Sequence, residues 1–132
     1  MRVSSDSMSP TYSVGDEVLI EKVSPKAREP DRGAVVVFRR PDGEELMIKR
    51  VVALGDQTVA IRDGVLTVDG QRPSEPYVAH IVAGSYFGPV RVPDGTVFVL
   101  GDRRLGSVDS RTFGAVPIDD VIGRVVLRIW PP

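Results

Sequence analysis

Short apolar runs alternate with turn-forming pairs along most of this chain, and that rhythm predicts strands. Val- and Ile-rich runs occupy residues 17–23, 34–38, 46–54, 57–62, 65–68, 96–100 and 122–129, the composition expected of strands buried on at least one face. Four Asp-Gly pairs, at 42–43, 63–64, 69–70 and 94–95, punctuate the runs. Asp-Gly favours the two-residue hairpin turn whose central positions both need φ > 0, and 62–65 and 68–71 read as successive hairpins. Helical periodicity is nearly absent, apart from a short turn over 117–121. Prolines 73, 76, 89 and 93 mark an irregular excursion over about 71–94, too proline-rich for a central strand. The pattern predicts one mainly β domain over 1–132, built from short antiparallel strands and coiled sheets with little helix.

Composition narrows the chemistry. At 132 residues the chain is long enough for one real core. Seventeen basic residues against 18 acidic ones leave a net charge of −1, which offers no electrostatic footprint for nucleic acid. No cysteine is present, so disulfides, zinc-thiolate sites and thiol nucleophiles are excluded. The single histidine, His80, cannot build a metal site alone and reads as a surface or strand residue. Neither a metal nor a cofactor is expected. No apolar run approaches the ~18–20 residues that cross a bilayer; the longest are 34–38 and 51–54.

Three segments carry candidate chemistry. The first is Ser5-Asp6-Ser7-Met8-Ser9-Pro10-Thr11, the second Met47-Ile48-Lys49-Arg50-Val51-Val52, and the third runs from Gly101 to Arg111. A serine hydroxyl is a poor nucleophile near neutral pH and needs a base within hydrogen-bond reach. With no cysteine and one poorly placed histidine, the candidate bases are carboxylates and lysines. Lys49 shares a strand face with Met47 and Val51, while Arg50 points the other way. Desolvation on an apolar face disfavours an ammonium and lowers its pKa from about 10.4. Pro10 fixes its own φ and holds Ser9 extended, giving Ser7 a rigid setting. Each segment alone has a plainer reading. The Lys-Arg pair is an edge-strand charge, the serines a frayed terminus, and Asp109 with Arg111 a loop ion pair, while Asp102 shapes a turn.

Taken together and in this order, the three segments resemble those of type I signal peptidases, membrane-anchored Ser/Lys serine proteases that remove signal peptides from exported proteins. The resemblance spans nearly the whole chain and implies the signal-peptidase fold. It implies that Ser7 is the nucleophile and Lys49 the general base. The Ser5 hydroxyl and the Ser7 backbone N–H would form the oxyanion hole, and Ser107 would hydrogen-bond and orient the lysine. Asp109 and Arg111 match the family's supporting salt bridge and, with Asp102, are scaffold. Val3, Ser5, Met8, Tyr12, Val37, Leu46, Met47 and Ile48 match substrate-binding positions. An extended peptide would add there as a strand, its alternate side chains entering pockets. The substrates implied are preproteins with small residues at −1 and −3.

The sequence departs from the usual family pattern at three places. Arg103 stands where asparagine is common, Tyr12 where leucine is usual, and no proline precedes Gly55. All three bear on specificity rather than on a reacting atom. The family's membrane anchor ends just before the nucleophile, whereas Ser7 lies six residues after Met1. The expectation is therefore a catalytic domain without its anchor, working against a lipid surface on the extracytoplasmic side of the plasma membrane. Two other readings stay open. One is a same-clan maturation peptidase for a single precursor, and the other is a non-catalytic β-domain that binds extended peptides.

Overall fold

A computed structural model describes residues 1–22 and 30–132 of the protein. Among the described residues nine strands form two sheets, every paired strand antiparallel. In chain order they are β1 (Glu17–Lys22), β2 (Val35–Arg39), β3 (Leu46–Leu54), β4 (Thr58–Arg62), β5 (Val65–Val68), β6 (Phe87–Arg91), β7 (Thr96–Leu100), β8 (Val116–Pro117) and β9 (Val121–Trp130). The larger sheet has the order β1-β9-β2-β3-β7-β8 and the smaller β5-β4-β6. One helical turn, α1 (Ser110–Phe113), and a 3₁₀ turn over Ile118–Asp120 complete the fold. The described strands match the mainly β expectation. Val23, the last residue of the first expected strand, lies outside the described residues.

Strand periodicity assigns the core. Along β2, Val35 and Val37 enter one apolar cluster with Val3, Met8, Val18 and Ile48. Val36 and Phe38 enter another with Val51, Val97, Val99 and Val116 on the opposite face. A third cluster joins Val59, Ile61 and Leu66 of the small sheet to Phe98 and Leu100 of β7. Both faces of the large sheet are thus covered, which is why β2 reads as an unbroken apolar run rather than an alternating one.

Local signals explain the small sheet. Asp63 (φ 49°) and Gly64 (φ 81°) both lie in the left-handed region, as do Asp69 (φ 52°) and Gly70 (φ 77°). These are the two hairpin turns predicted, with Arg62 opposite Val65 and Val68 bridged to Gln71. At the other two pairs the aspartate does not take a positive φ, so they are turns of a different kind. The proline-rich excursion hides one strand, β6, which carries Pro89 at the edge of the small sheet, where a missing N–H is tolerated. Among the described residues no helix is long and apolar enough to cross a membrane.

Candidate active site

The site begins at a notch in the large sheet. β2 pairs with β3 from Leu46 onward, but β7 reaches β3 only as far as Arg50, opposite its own last residue, Leu100. On the β7 side, residues 46–49 therefore have no strand partner among the described residues. The nucleophile segment and the loop after β7 close round this opening. Leu46, Met47 and Ile48 line a cleft of about 250 Å³ together with Ser5, Ser7, Lys49 and Ser107. The three sequence segments, 42 and 58 residues apart along the chain as Ser7 to Lys49 and Lys49 to Ser107, meet in one place.

Lys49 Nζ lies 2.8 Å from Ser7 Oγ and donates to it. The lysine is only 2% exposed and makes no salt bridge among the described residues. Burial pushes its pKa down, while the more distant carboxylates of Asp109 and Glu45 pull it partly back up. Desolvation with no ion pair is the arrangement that leaves an amine able to lose its proton. Ser5 Oγ stands 3.1 Å from Ser7 Oγ. Among the described residues the Ser7 backbone N–H has no hydrogen-bond partner, which leaves it available as a donor.

The loop after β7 fixes Ser7 from behind. The Arg103 N–H donates to the Ser7 carbonyl at 2.9 Å. A side chain on Gly101 would strike Ser107 and approach the Ser7 carbonyl to 2.6 Å, so glycine is what allows the two loops to touch. Asp109, fully buried, ties the loop's ends together. It accepts from Gly101 N–H at 3.1 Å and from Arg111 Nε and Nη2 at 2.9 and 2.8 Å. Arg111 Nη2 also donates to the Arg104 carbonyl at 3.0 Å. The Asp109–Arg111 pair expected from sequence is thus present in a bidentate form.

Ser107 differs from expectation. No hydrogen bond joins it to Lys49; its Oγ is buried without a partner, pressed against Gly101. An orphaned buried hydroxyl typically costs about 1–3 kcal/mol, so a partner supplied by the reaction would relieve that cost.

Of the expected substrate-binding residues, Leu46, Met47 and Ile48 line the cleft. Val3, Met8 and Val37 are buried in one apolar cluster with Ile48, and Tyr12 is half-buried against it. Strand pairing sets Val37 opposite Ile48.

Arg50 is the residue that sequence reasoning undervalued. β3 is an interior strand, so an edge-charge role is ruled out. Its guanidinium forks onto Asp102 at 2.9 and 2.8 Å, donates to the Gly33 carbonyl at 2.8 Å, and stacks 3.6 Å from the Tyr77 ring centre. Asp102 in turn accepts from Thr11 Oγ1 at 2.6 Å. A buried ion pair thereby joins the strand of the base to the far end of the nucleophile segment. Arg104 similarly pairs with Glu75 and donates to the Gly101 carbonyl at 2.8 Å. Glu75 and Tyr77 anchor the proline-rich excursion to the site. Their only sequence signal was that an aromatic and an acidic residue sit in a segment with no strand pattern. Among the described residues no cluster of His, Cys, Asp and Glu could hold a metal ion.

Comparison with known proteins agrees with this geometry. The family model "Signal peptidase, peptidase S26" matches residues 1–130. The chain is 39% identical over 135 residues to a probable signal peptidase I-2 of Synechocystis sp., covering 98% of this chain and 62% of that protein. It is 40% identical over 138 residues to a probable chloroplastic thylakoidal processing peptidase 2 of Arabidopsis thaliana, covering 98% of this chain and 37% of the relative. It thus spans only part of the curated relatives it matches. The crystal structure of a signal peptidase I from Enterococcus faecalis superposes with a TM-score of 0.67 at 32% identity, covering 75% of this chain and 98% of that one. With its sheets, its Ser7–Lys49 contact and these relatives in agreement, the chain belongs to the signal peptidase family, peptidase S26.

Proposed function

We propose that this chain is the catalytic domain of a serine endopeptidase that removes signal peptides from exported preproteins, with Ser7 as nucleophile and Lys49 as general base. The observation that carries the reading is the 2.8 Å contact between Ser7 Oγ and a buried lysine that has no counter-ion among the described residues. The substrate adds as a strand along the unpaired side of residues 46–48, with small residues at −1 and −3 facing the cleft walls of Leu46, Met47 and Ile48. Its scissile carbonyl then comes to Ser7.

Neutral Lys49 accepts the Ser7 proton as Oγ attacks the carbonyl carbon. The resulting oxyanion accepts from the Ser7 N–H and the Ser5 hydroxyl; one such donor is typically worth ~10²–10³ in rate. The Lys49 ammonium next protonates the leaving amine, and the signal peptide stays on Ser7 as an ester. Lys49 then takes a proton from water as the water attacks the ester, and returns that proton to Ser7 Oγ as the C–Oγ bond breaks and the acid leaves. Ser107 accepts a hydrogen bond from the transient ammonium, the partner its hydroxyl otherwise lacks. The family points to work at a membrane surface, on the extracytoplasmic side.

Treatment with a peptide-like acylating inhibitor, followed by mass spectrometry, tests the reading. Mass should be added at Ser7 in the native chain and not in Ser7→Ala, which should fold normally and fail to cleave an Ala-x-Ala preprotein. An unmodified Ser7 with intact peptide binding would instead indicate a non-catalytic module.

A further inference from the structure

The notch fixes where a bound peptide leaves the sheet. A strand laid along residues 46–48 cannot continue past Lys49, because Leu100 of β7 already occupies the position beside Arg50. Beyond Ser7 the chain has to cross the loop that follows β7. Asp6 and Gly106 are among the residues that line the active cleft. A second groove, of about 400 Å³, opens between Pro10, the 79–82 segment and Leu105.

Arg103 stands at the junction of the two. Its Nη1 lies 3.7 Å from the Asp6 carboxylate and donates to the Leu105 carbonyl at 3.0 Å. Gly106 faces it so closely that a Cβ there would come within 3.4 Å of Nη1. The groove wall is apolar at the exposed side chains of Ile81 and Leu105. Of the other charged residues lining it, Asp102 is committed to Arg50 and Arg104 to Glu75. Among the described residues lining the groove, Arg103 is the cation without a close carboxylate: its side chain is 47% exposed and pairs only loosely with Asp6, at 3.7 Å. His80 adds a polar group on the same wall.

We propose that this groove holds the segment C-terminal to the scissile bond, the first residues of the released protein, and that Arg103 selects an acidic side chain among them. The inference rests on the peptidase reading given above. Its occupant follows from continuity with the cleft and from the charge left at the junction. The groove gives the proline-rich excursion a role: its 79–82 segment forms the wall against which the product end lies. It also gives a meaning to arginine at position 103, where a small amide could not reach an approaching carboxylate.

The test uses a peptide series with a constant Ala-x-Ala before the cut and Asp, Leu or Lys at the second and third positions after it. The expected kcat/KM is roughly three- to fivefold higher for Asp than for Lys, the range typical of a partly exposed charge pair. Arg103→Glu should reverse that order. In parallel, the free peptide Ala-Asp-Asp-Leu-Leu is titrated into isotope-labelled native protein, and signals of Ile81 and Leu105 should shift, less so with Lys replacing Asp. Cleavage that ignores the residues after the cut, with Ile81 and Leu105 unmoved, overturns the groove and leaves the peptidase reading standing. If no peptide in the series is cleaved, the peptidase reading fails, and the shifts at Ile81 and Leu105 alone decide for or against the groove.

Discussion

The two faces of β3 hold adjacent cations in opposite ways. Lys49 lies buried beside Val51 and Met47 with no carboxylate in contact among the described residues, and burial lowers its pKa. Arg50, next in sequence, is forked onto a fully buried carboxylate and held further by a carbonyl and an aromatic ring. Arginine stays charged in proteins, so it suits a permanent strut; an unpaired lysine gives up its proton readily when desolvated. On the proposed mechanism, the fold isolates the cation that loses its charge and pairs the one that keeps it. The difference between base and scaffold lies in the partners, not in the strand.

The largest expected effect comes from removing the first half of that contrast. Lys49→Arg should lower kcat/KM by roughly 10²–10⁴-fold, because a guanidinium cannot serve as the base. The companion Lys49→Met should be equally inactive yet more stable, by about 1 kcal/mol or roughly 3–5 °C in Tm for a domain of this size. The sign depends on pH. The folded pKa of Lys49 lies below its unfolded value, so between the two the unfolded chain binds more protons and native stability rises with pH. The Tm advantage of Lys49→Met should thus be full on the acid side and vanish above the ordinary lysine pKa. A variant less stable than the native chain at neutral pH would mean that the ammonium has a partner.

Breaking the other half acts on stability. Asp102→Ala leaves the Arg50 guanidinium buried without its carboxylate and Thr11 without its acceptor. Loss of one partner of a buried pair typically costs about 3–5 kcal/mol, and here the low end is expected because Gly33 and Tyr77 still hold Arg50. Urea denaturation of native and variant chains measures it; a change under about 0.5 kcal/mol would demote the strut to a surface pair. The smallest effect belongs to Glu45→Gln. The Glu45 carboxylate raises the Lys49 pKa, so its removal should move the acid limb of the pH–rate profile slightly to lower pH. A move to higher pH would contradict the assignment.

The same contrast marks what the sequence made legible. Lys49 stood out because an isolated charge in an apolar run is a local signal, and the Asp63-Gly64 turn likewise carries its geometry in two residues. The three segments can be joined on their residues alone, since each holds its reactive side chain within a short span. Arg50 was hidden because its partners lie 17, 27 and 52 residues away, at Gly33, Tyr77 and Asp102, and no local pattern connects them. β6 was hidden by Pro89, which is harmless only because that strand proved to be an edge. That Met8 and Val37 pack into one buried cluster with Ile48 was hidden too, because it joins three distant segments.

The central claim is that Lys49 is the neutral base, and the chain makes it directly measurable. It contains only three lysines, Lys22, Lys26 and Lys49, so selectively ¹³Cε-labelled lysine gives a spectrum that Lys49→Arg assigns by the loss of one signal. Titrating that signal alongside kcat/KM of the native chain compares the amine with the reaction it is said to drive. The account predicts that Lys49 titrates below the ordinary lysine range and that its midpoint coincides with the acid limb of kcat/KM, which reports the free enzyme's essential base. A Lys49 signal that titrates in the ordinary lysine range, or an acid limb displaced from it, would contradict the account.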